Sequence, residues 1–178
     1  YYDFTSLLEL FSKINGKELA ENENAKKTLD EIQEIIKKVP QNKKIRFLSL
    51  FASAGKTPSA ETSNANTALI AKLLGGKNIT DELNYPKKSM NIDLSIEKIL
   101  SAQPEIIFVT TMGDEKEVQS KMMEIFKNDP VWNSLNAVKN GKIYFLPNEL
   151  FLYKANEQYP QSFKLIYKIM YGEKISNE

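Results

Sequence analysis

Apolar residues recur at helical spacing through the first part of the chain. One run covers residues 4–14, and a second covers residues 17–39 in steps of three and four. Asn15-Gly16 separates the two runs, and Pro40 ends the second. At about 1.5 Å per residue, the second helix is roughly 30 Å long. We therefore expect it to pack along a domain and to extend past the edge of that domain.

Beyond residue 42 the pattern changes to short apolar segments that alternate with amphipathic ones. The apolar segments predict strands over residues 45–51, 105–110 and 143–146, with further strands near Ile79 or Met90. The amphipathic segments predict helices over residues 66–74, 94–102 and 115–126, and a final helix with Phe163, Ile166, Tyr167 and Met170. This alternation predicts a three-layer αβα lobe with a mainly parallel sheet.

Sheets of this kind bind ligands beyond the carboxyl ends of their strands. Three loops follow those ends in this chain, over residues 52–59, 110–114 and 147–156. The residues in these loops that we predict to bind a ligand are Ser53, Lys56, Thr57, Thr111, Met112, Glu149 and Tyr153.

Gly55-Lys56-Thr57 follows a predicted strand and matches part of a phosphate-binding loop. The complete motif needs a glycine where Leu50 stands, and Pro58 interrupts the helix start that would present N–H groups to phosphate. We therefore do not expect nucleotide binding. Two interpretations of Lys56 remain: it faces an anionic ligand in a cleft, or it lies in a solvated loop.

Composition and charge remove several classes of function. Lys+Arg (24) and Asp+Glu (23) nearly cancel, giving a net charge of +1, which argues against a nucleic-acid binder. The sequence has neither cysteine nor histidine, so it lacks the thiol nucleophile, the Cys/His zinc ligands and the histidine base of a catalytic triad. Asp114, Glu115 and Glu149 have no third group to orient them, so nothing in the sequence supports an enzyme.

Several motifs occur together, in order along the chain. Residues 132–144 spell WNSLNAVKNGKIY, which is similar to the pattern W-x-x-L-x-A-V-K-N-G-x-V-Y. The others are LGGKNI at 74–79, LSIEKIL at 94–100 with QPEIIFV at 103–109, the Leu146-Pro147 strand end, Tyr171-Gly172-Glu173 in the closing helix, and residues 10–20 with their Asn-Gly-Lys-Glu. This ordered set resembles the iron-siderophore, haem and cobalamin class of ABC-transporter solute-binding proteins. Glu105 departs from the family pattern, which has aspartate there.

The resemblance implies an architecture and a role. Proteins of this family bind their ligand between two α/β lobes that a long helix joins. By this resemblance, residues 1–16 are the last helix of an N-terminal lobe that is otherwise missing, 17–40 are the interlobe helix, and 41–178 are the C-terminal lobe. The implied role is capture of a metal complex outside the cytoplasm, in the periplasm or from a lipid anchor on the cell membrane. The protein would then deliver the complex to ABC permease subunits. It would have no cofactor of its own and no nucleic-acid partner.

Glu97 occupies the position of a glutamate that, in relatives, forms a salt bridge to a permease arginine. The resemblance therefore implies that Glu97 docks on the permease. An alternative is purely structural, because a carboxylate in the first turn of a helix is favoured by the helix dipole.

The choice of ligand follows from the residues that the lobe lacks. Arg46 is the only arginine, and it lies at the start of its strand, away from the expected site, whereas arginines suit anionic siderophores. Bare zinc or manganese is disfavoured without histidine. Haem and a weakly charged siderophore remain equally favoured as the ligand, and a corrinoid is less favoured. Tyr153 or Met112 either supplies an axial haem ligand or packs against the cleft wall.

We also expect apolar groups around Phe51, Met112 and Phe151 to be exposed when the lobe is alone.

Two other classes of function stay open. One is an intracellular, chelatase-like α/β enzyme domain, and the other is a stand-alone interaction module from a truncated gene.

Overall fold

The computed structural model describes residues 6, 9–10, 12–14, 16, 23–86, 88–93, 96–153 and 158–172. The helix predicted over residues 4–14 lies largely outside the described residues, as does the first part of the helix predicted over 17–39. The strands are β1 (Arg46–Ser53), β2 (Ser59–Glu61), β3 (Lys77–Asn78), β4 (Asn91–Ile92), β5 (Ile106–Met112) and β6 (Ile143–Leu146). The helices are α1 (Glu23–Lys37), α2 (Asn66–Leu73), α3 (Ile96–Ala102), α4 (Glu115–Asn128), α5 (Pro130–Ser134), α6 (Asn136–Lys139), α7 (Asn148–Phe151) and α8 (Tyr159–Tyr171), with a 3₁₀ turn at Ile79–Glu82.

One sheet runs through the middle of the lobe in the order β4-β2-β1-β5-β6, and β3 pairs with the start of β1. The pairs β1–β5, β5–β6 and β1–β3 are parallel, whereas β2 is antiparallel to both β1 and β4. The sheet is therefore mainly parallel, as the alternating pattern predicts. Short strands do occur close to Ile79 and Met90.

Two apolar cores cover the two faces of the sheet. Successive residues of a strand point to opposite faces, so Phe47 and Phe108 belong to one core and Leu48 and Val109 to the other. The first core is closed by α1, α2 and α8, and the second by α3, α4, α5 and α6. This arrangement confirms the three-layer αβα prediction.

The helix α1 packs along α8. Its apolar face buries Ile32 and Ile35 in the first core. At its end the hydroxyl of Tyr167 donates a hydrogen bond to the carbonyl of Lys38 at 3.0 Å. Within the described residues, no helix is both long enough and apolar enough to span a membrane.

The largest difference from the prediction lies after β1. The strands β1 and β5 stay paired as far as Ser53 and Met112, beyond the predicted ends at residues 51 and 110, because the backbone ladder continues through small and polar side chains. The chain then turns at Gly55, which has a φ of +74°, and returns as the antiparallel strand β2. A strand thus follows Gly55-Lys56-Thr57, and the helix start that a phosphate loop requires is absent there.

Candidate functional site

The carboxyl ends of β1, β5 and β6 lie at one edge of the sheet, which we call the carboxyl edge. Ser53 is the register partner of Met112, and Thr110 is the partner of Leu146. The three loops singled out from the sequence therefore meet along this edge.

Met112 is an exposed apolar residue at this edge. The six preceding residues of β5 are buried, whereas Met112 is 47% exposed. Phe51 of the neighbouring strand is half-buried. A thioether thus stands at the end of a strand that is held on both sides by β1 and β6.

Thr111, one of the residues predicted to bind a ligand, is buried in the lobe. It is only 1% exposed, because alternation along β5 turns it under the surface. Its hydroxyl donates a hydrogen bond to Oδ1 of Asn148 at 3.2 Å. The backbone N–H of Asn148 donates to Oε1 of Glu115, also at 3.2 Å. Asn148, which the sequence did not single out, is therefore fixed at the carboxyl edge from two sides.

The remaining predicted contact residues lie at opposite ends of the edge. Lys56 and Thr57 are exposed in the turn between β1 and β2. Glu149 is exposed on α7, and Tyr153 is 64% exposed just after it. Two strand spacings of about 4.8 Å separate β1 from β6, so these groups can line one surface along the edge.

Phe151 is buried, contrary to the expectation that it would be exposed. It is 3% exposed and belongs to the first core. The short helix α7 turns its side chain inward beneath α8, where the hydroxyl of Ser162 bonds the carbonyl of Leu150 at 3.0 Å. The apolar surface at the edge is consequently smaller than predicted.

Glu97 is exposed in the first turn of α3. The strand β4, antiparallel to β2, runs in the same direction as β1 and so brings the start of α3 to the carboxyl edge. Two residues further along, Ile99 is buried and anchors the helix. Glu97 makes no ion pair with another described residue, so its carboxylate is available to a partner.

A buried carboxyl group, Glu61, lies in the sheet just behind the edge. It is 6% exposed, and the hydroxyl of Ser49 donates a hydrogen bond to its Oε2. Burial raises the pKa of Glu61 to about 7, against an opposing effect from the Ser49 hydrogen bond. The sequence did not reveal this group, because Glu61 directly follows residues predicted to be a loop.

Two further observations limit where chemistry can occur. A cavity of about 670 Å³ beside α4 is lined by Phe126, Val138 and Ile143, near the amino end of β6. It contains none of the residues predicted to bind a ligand. Among the described residues there is no group of three or more acidic side chains placed to hold a metal ion.

Residues 6–150 match the sequence profile of the family described as periplasmic binding protein, and the chain belongs to that family. A curated relative is the high-affinity heme uptake system protein IsdE of Staphylococcus aureus, 26% identical over 181 aligned positions. The match covers 98% of this chain and 60% of the relative, so the chain spans less than two thirds of the relative's length.

Solved structures agree on the fold. An ABC transporter substrate-binding protein from Listeria monocytogenes superposes with a TM-score of 0.82 at 25% identity, covering 96% of this chain and 64% of that one. S. aureus IsdE complexed with heme superposes with a TM-score of 0.81 at 22% identity, covering 94% and 64%. The family resemblance and the αβα lobe predicted from the sequence are thereby confirmed.

Proposed function

We propose that this chain belongs to the extracytoplasmic substrate-binding component of an ABC importer for an iron complex. The observation that supports this most is the carboxyl edge itself. In a lobe of the periplasmic binding protein family, it carries an exposed thioether at the end of β5 and a fixed amide on α7. The residues there are suited to holding a ligand by contact. The protein binds and releases its cargo without changing it.

The whole ligand site is proposed to need a second lobe. Residues 1–16 would end that lobe, residues 17–40 would join it to this one, and residues 41–178 would form the C-terminal half of the cleft. A two-lobed cleft buries most of a ligand's surface, whereas the carboxyl edge described here supplies one wall. We propose a lipid anchor or a periplasmic location for the complete protein.

We place haem ahead of a siderophore or a corrinoid as the ligand. A curated relative is named as a high-affinity heme uptake protein, and a porphyrin offers a large apolar face that suits Met112. Arg46, the only arginine of the chain, lies at the opposite end of β1, where Glu82 is 3.5 Å from it. The edge therefore lacks the guanidinium forks that suit catecholates and carboxylates.

Met112 is the better candidate for an axial ligand from this lobe, and Tyr153 is the alternative. Met112 ends β5 and pairs there with Ser53 of β1, so its backbone is held before the ligand arrives. Methionine is an established axial ligand of haem iron. Lys56 and Thr57, across the edge, would meet a propionate or solvent.

Glu97 is proposed to dock on a positively charged group of the permease. Its exposure and its freedom from an ion pair within the described residues suit this role. Docking and ligand binding would then use different residues of the carboxyl edge, so a change at Glu97 should alter delivery without altering capture.

An uptake assay tests the proposal. In cells whose gene for the protein is deleted, uptake of radio-iron-labelled haem should fall and should recover when the gene is restored. Met112→Ala should restore it only in part, whereas Met123→Ala, on the exposed side of α4, should restore it fully. Unchanged uptake of haem and of ferric siderophores after deletion would contradict the proposal.

A further inference from the structure

We propose that Asn148 is a ligand-binding residue, whose amide N–H group bonds an acceptor on the rim of the iron complex, and that Thr111 and Glu115 are its positioning residues. This inference rests on the proposed function. It adds a specific contact to a lobe whose carboxyl edge lacks arginine.

The first argument is the way in which Asn148 is held. Asn148 is the first residue of α7, where a backbone N–H has no partner within the helix, and Oε1 of Glu115 accepts that N–H at 3.2 Å. The hydroxyl of Thr111 holds Oδ1 of the side chain at 3.2 Å. Supports from β5 and α4 thus fix both the backbone and the amide plane. Such pre-organisation lowers the entropy lost when a ligand binds.

The second argument concerns the amide nitrogen, Nδ2, of Asn148. With Oδ1 bonded inward, Nδ2 has two N–H groups to donate, and no described residue accepts them. Asn148 is half-buried. Among the described residues, the buried side-chain polar atoms without a partner are Ser12 Oγ, Arg46 Nε and Asn66 Nδ2, and Nδ2 of Asn148 is not one of them. The Nδ2 atom is therefore open to solvent, beside the strand end that carries Met112.

The third argument is the chemistry that this donor selects. Two free N–H groups suit a carboxylate, a catecholate or a carbonyl oxygen. The neighbouring carboxylates of Asp114 and Glu115 already accept the N–H groups of Glu117 and Asn148, so their charge is partly compensated. A neutral amide donor beside Met112 would thus hold a haem propionate, or the oxygen of a siderophore, without the charge of an arginine.

The test is a titration of the full-length protein with haemin, followed by the change in the Soret band. Asn148→Ala should weaken binding by about ten- to a hundredfold, the range for a hydrogen bond to a charged group. Asn148→Asp should weaken it further, because a carboxylate would face the acceptor. The matched control is Asn136→Ala, since Asn136 is also the first residue of a four-residue helix and bonds the side chain of Gln103 at 3.2 Å. It lies at the opposite edge and should bind as the wild type does.

A double-mutant cycle tests the positioning role. Thr111→Val should weaken haemin binding when Asn148 is present and should add nothing to Asn148→Ala, because the hydroxyl acts through the amide. Thr111→Ser, which keeps the hydroxyl, should restore affinity. Haemin affinity within twofold of wild type in Asn148→Ala, or additive losses in the double variant, would overturn this inference and leave the proposed function standing. A ferric tris-catecholate complex serves as the siderophore probe. If the wild type binds neither haemin nor this complex, the proposed function fails as well.

Discussion

The buried carboxyl group of Glu61 should make the stability of the lobe depend on pH. Its pKa rises from an ordinary 4.5 to about 7 because burial penalises the charged form. One pKa unit corresponds to about 1.4 kcal/mol, so complete ionisation costs the folded state about 3 kcal/mol. That is a large part of the roughly 5–15 kcal/mol that stabilises a typical domain.

The sign of the effect follows from linkage. Since the pKa of Glu61 is higher in the folded state than in the unfolded state, its contribution is fully present below pH 4.5 and is lost as the pH rises through about 7. Glu61→Gln removes the ionisation and keeps a carbonyl oxygen for the Ser49 hydroxyl. We therefore expect the variant to gain stability on the wild type across this window, by at most about 1.4 kcal/mol per pH unit.

Urea unfolding at a series of pH values from 4 to 8.5 measures this difference directly. Glu124→Gln, an exposed change on α4, is the control and should follow the wild-type curve. Comparing slopes is more informative than comparing absolute stabilities, because the new amide N–H groups of the glutamine carry a constant cost of their own. If the Glu61→Gln and wild-type curves run parallel throughout, the ionisation argument is wrong.

Three further changes have defined outcomes. A Cβ at Gly76 would lie 2.8 Å from both the ring of Phe47 and the carbonyl oxygen of Ala71, so Gly76→Ala should cost about 1–3 kcal/mol in chemical unfolding; an unchanged midpoint would show that the ring and the backbone can both move. Asp114→Ala removes the cap of α4 and should cost about 1 kcal/mol, seen as a lower thermal midpoint, whereas no shift would mean that the cap contributes nothing. Glu97→Lys should impair uptake while solution affinity for haemin stays the same, and Glu124→Lys should impair neither; normal transport with Glu97→Lys would favour the helix-dipole interpretation.

Most of the fold could be predicted from local sequence patterns. The apolar run at residues 106–109 and the motif at residues 132–144 each lie within one stretch of chain, so their own sequence is enough to place them. The strand β2 was missed because it has only three residues, Ser59–Glu61, and its stability comes from pairing with β1 and β4. Short segments of this kind are defined by tertiary contacts more than by their own sequence.

The site was less predictable for the same reason. The location of Met112 at the carboxyl edge could be predicted, because it follows an apolar run in its strand. Asn148 could not, because its supports, Thr111 and Glu115, lie 37 and 33 positions away along the chain. Phe151 was expected at the exposed surface but is buried, because it lies in a four-residue helix that was not recognised in the sequence.

An equilibrium titration of the full-length protein with a panel of ligands tests the central claim most directly. The panel holds haemin, the ferric tris-catecholate complex, cobalamin, and bare zinc and manganese ions. We predict tight one-to-one binding of an iron complex, haemin foremost with a shift of its Soret band, and no tight binding of either bare ion. Binding of none of the three complexes, or tight binding of bare zinc or manganese, would contradict the claim.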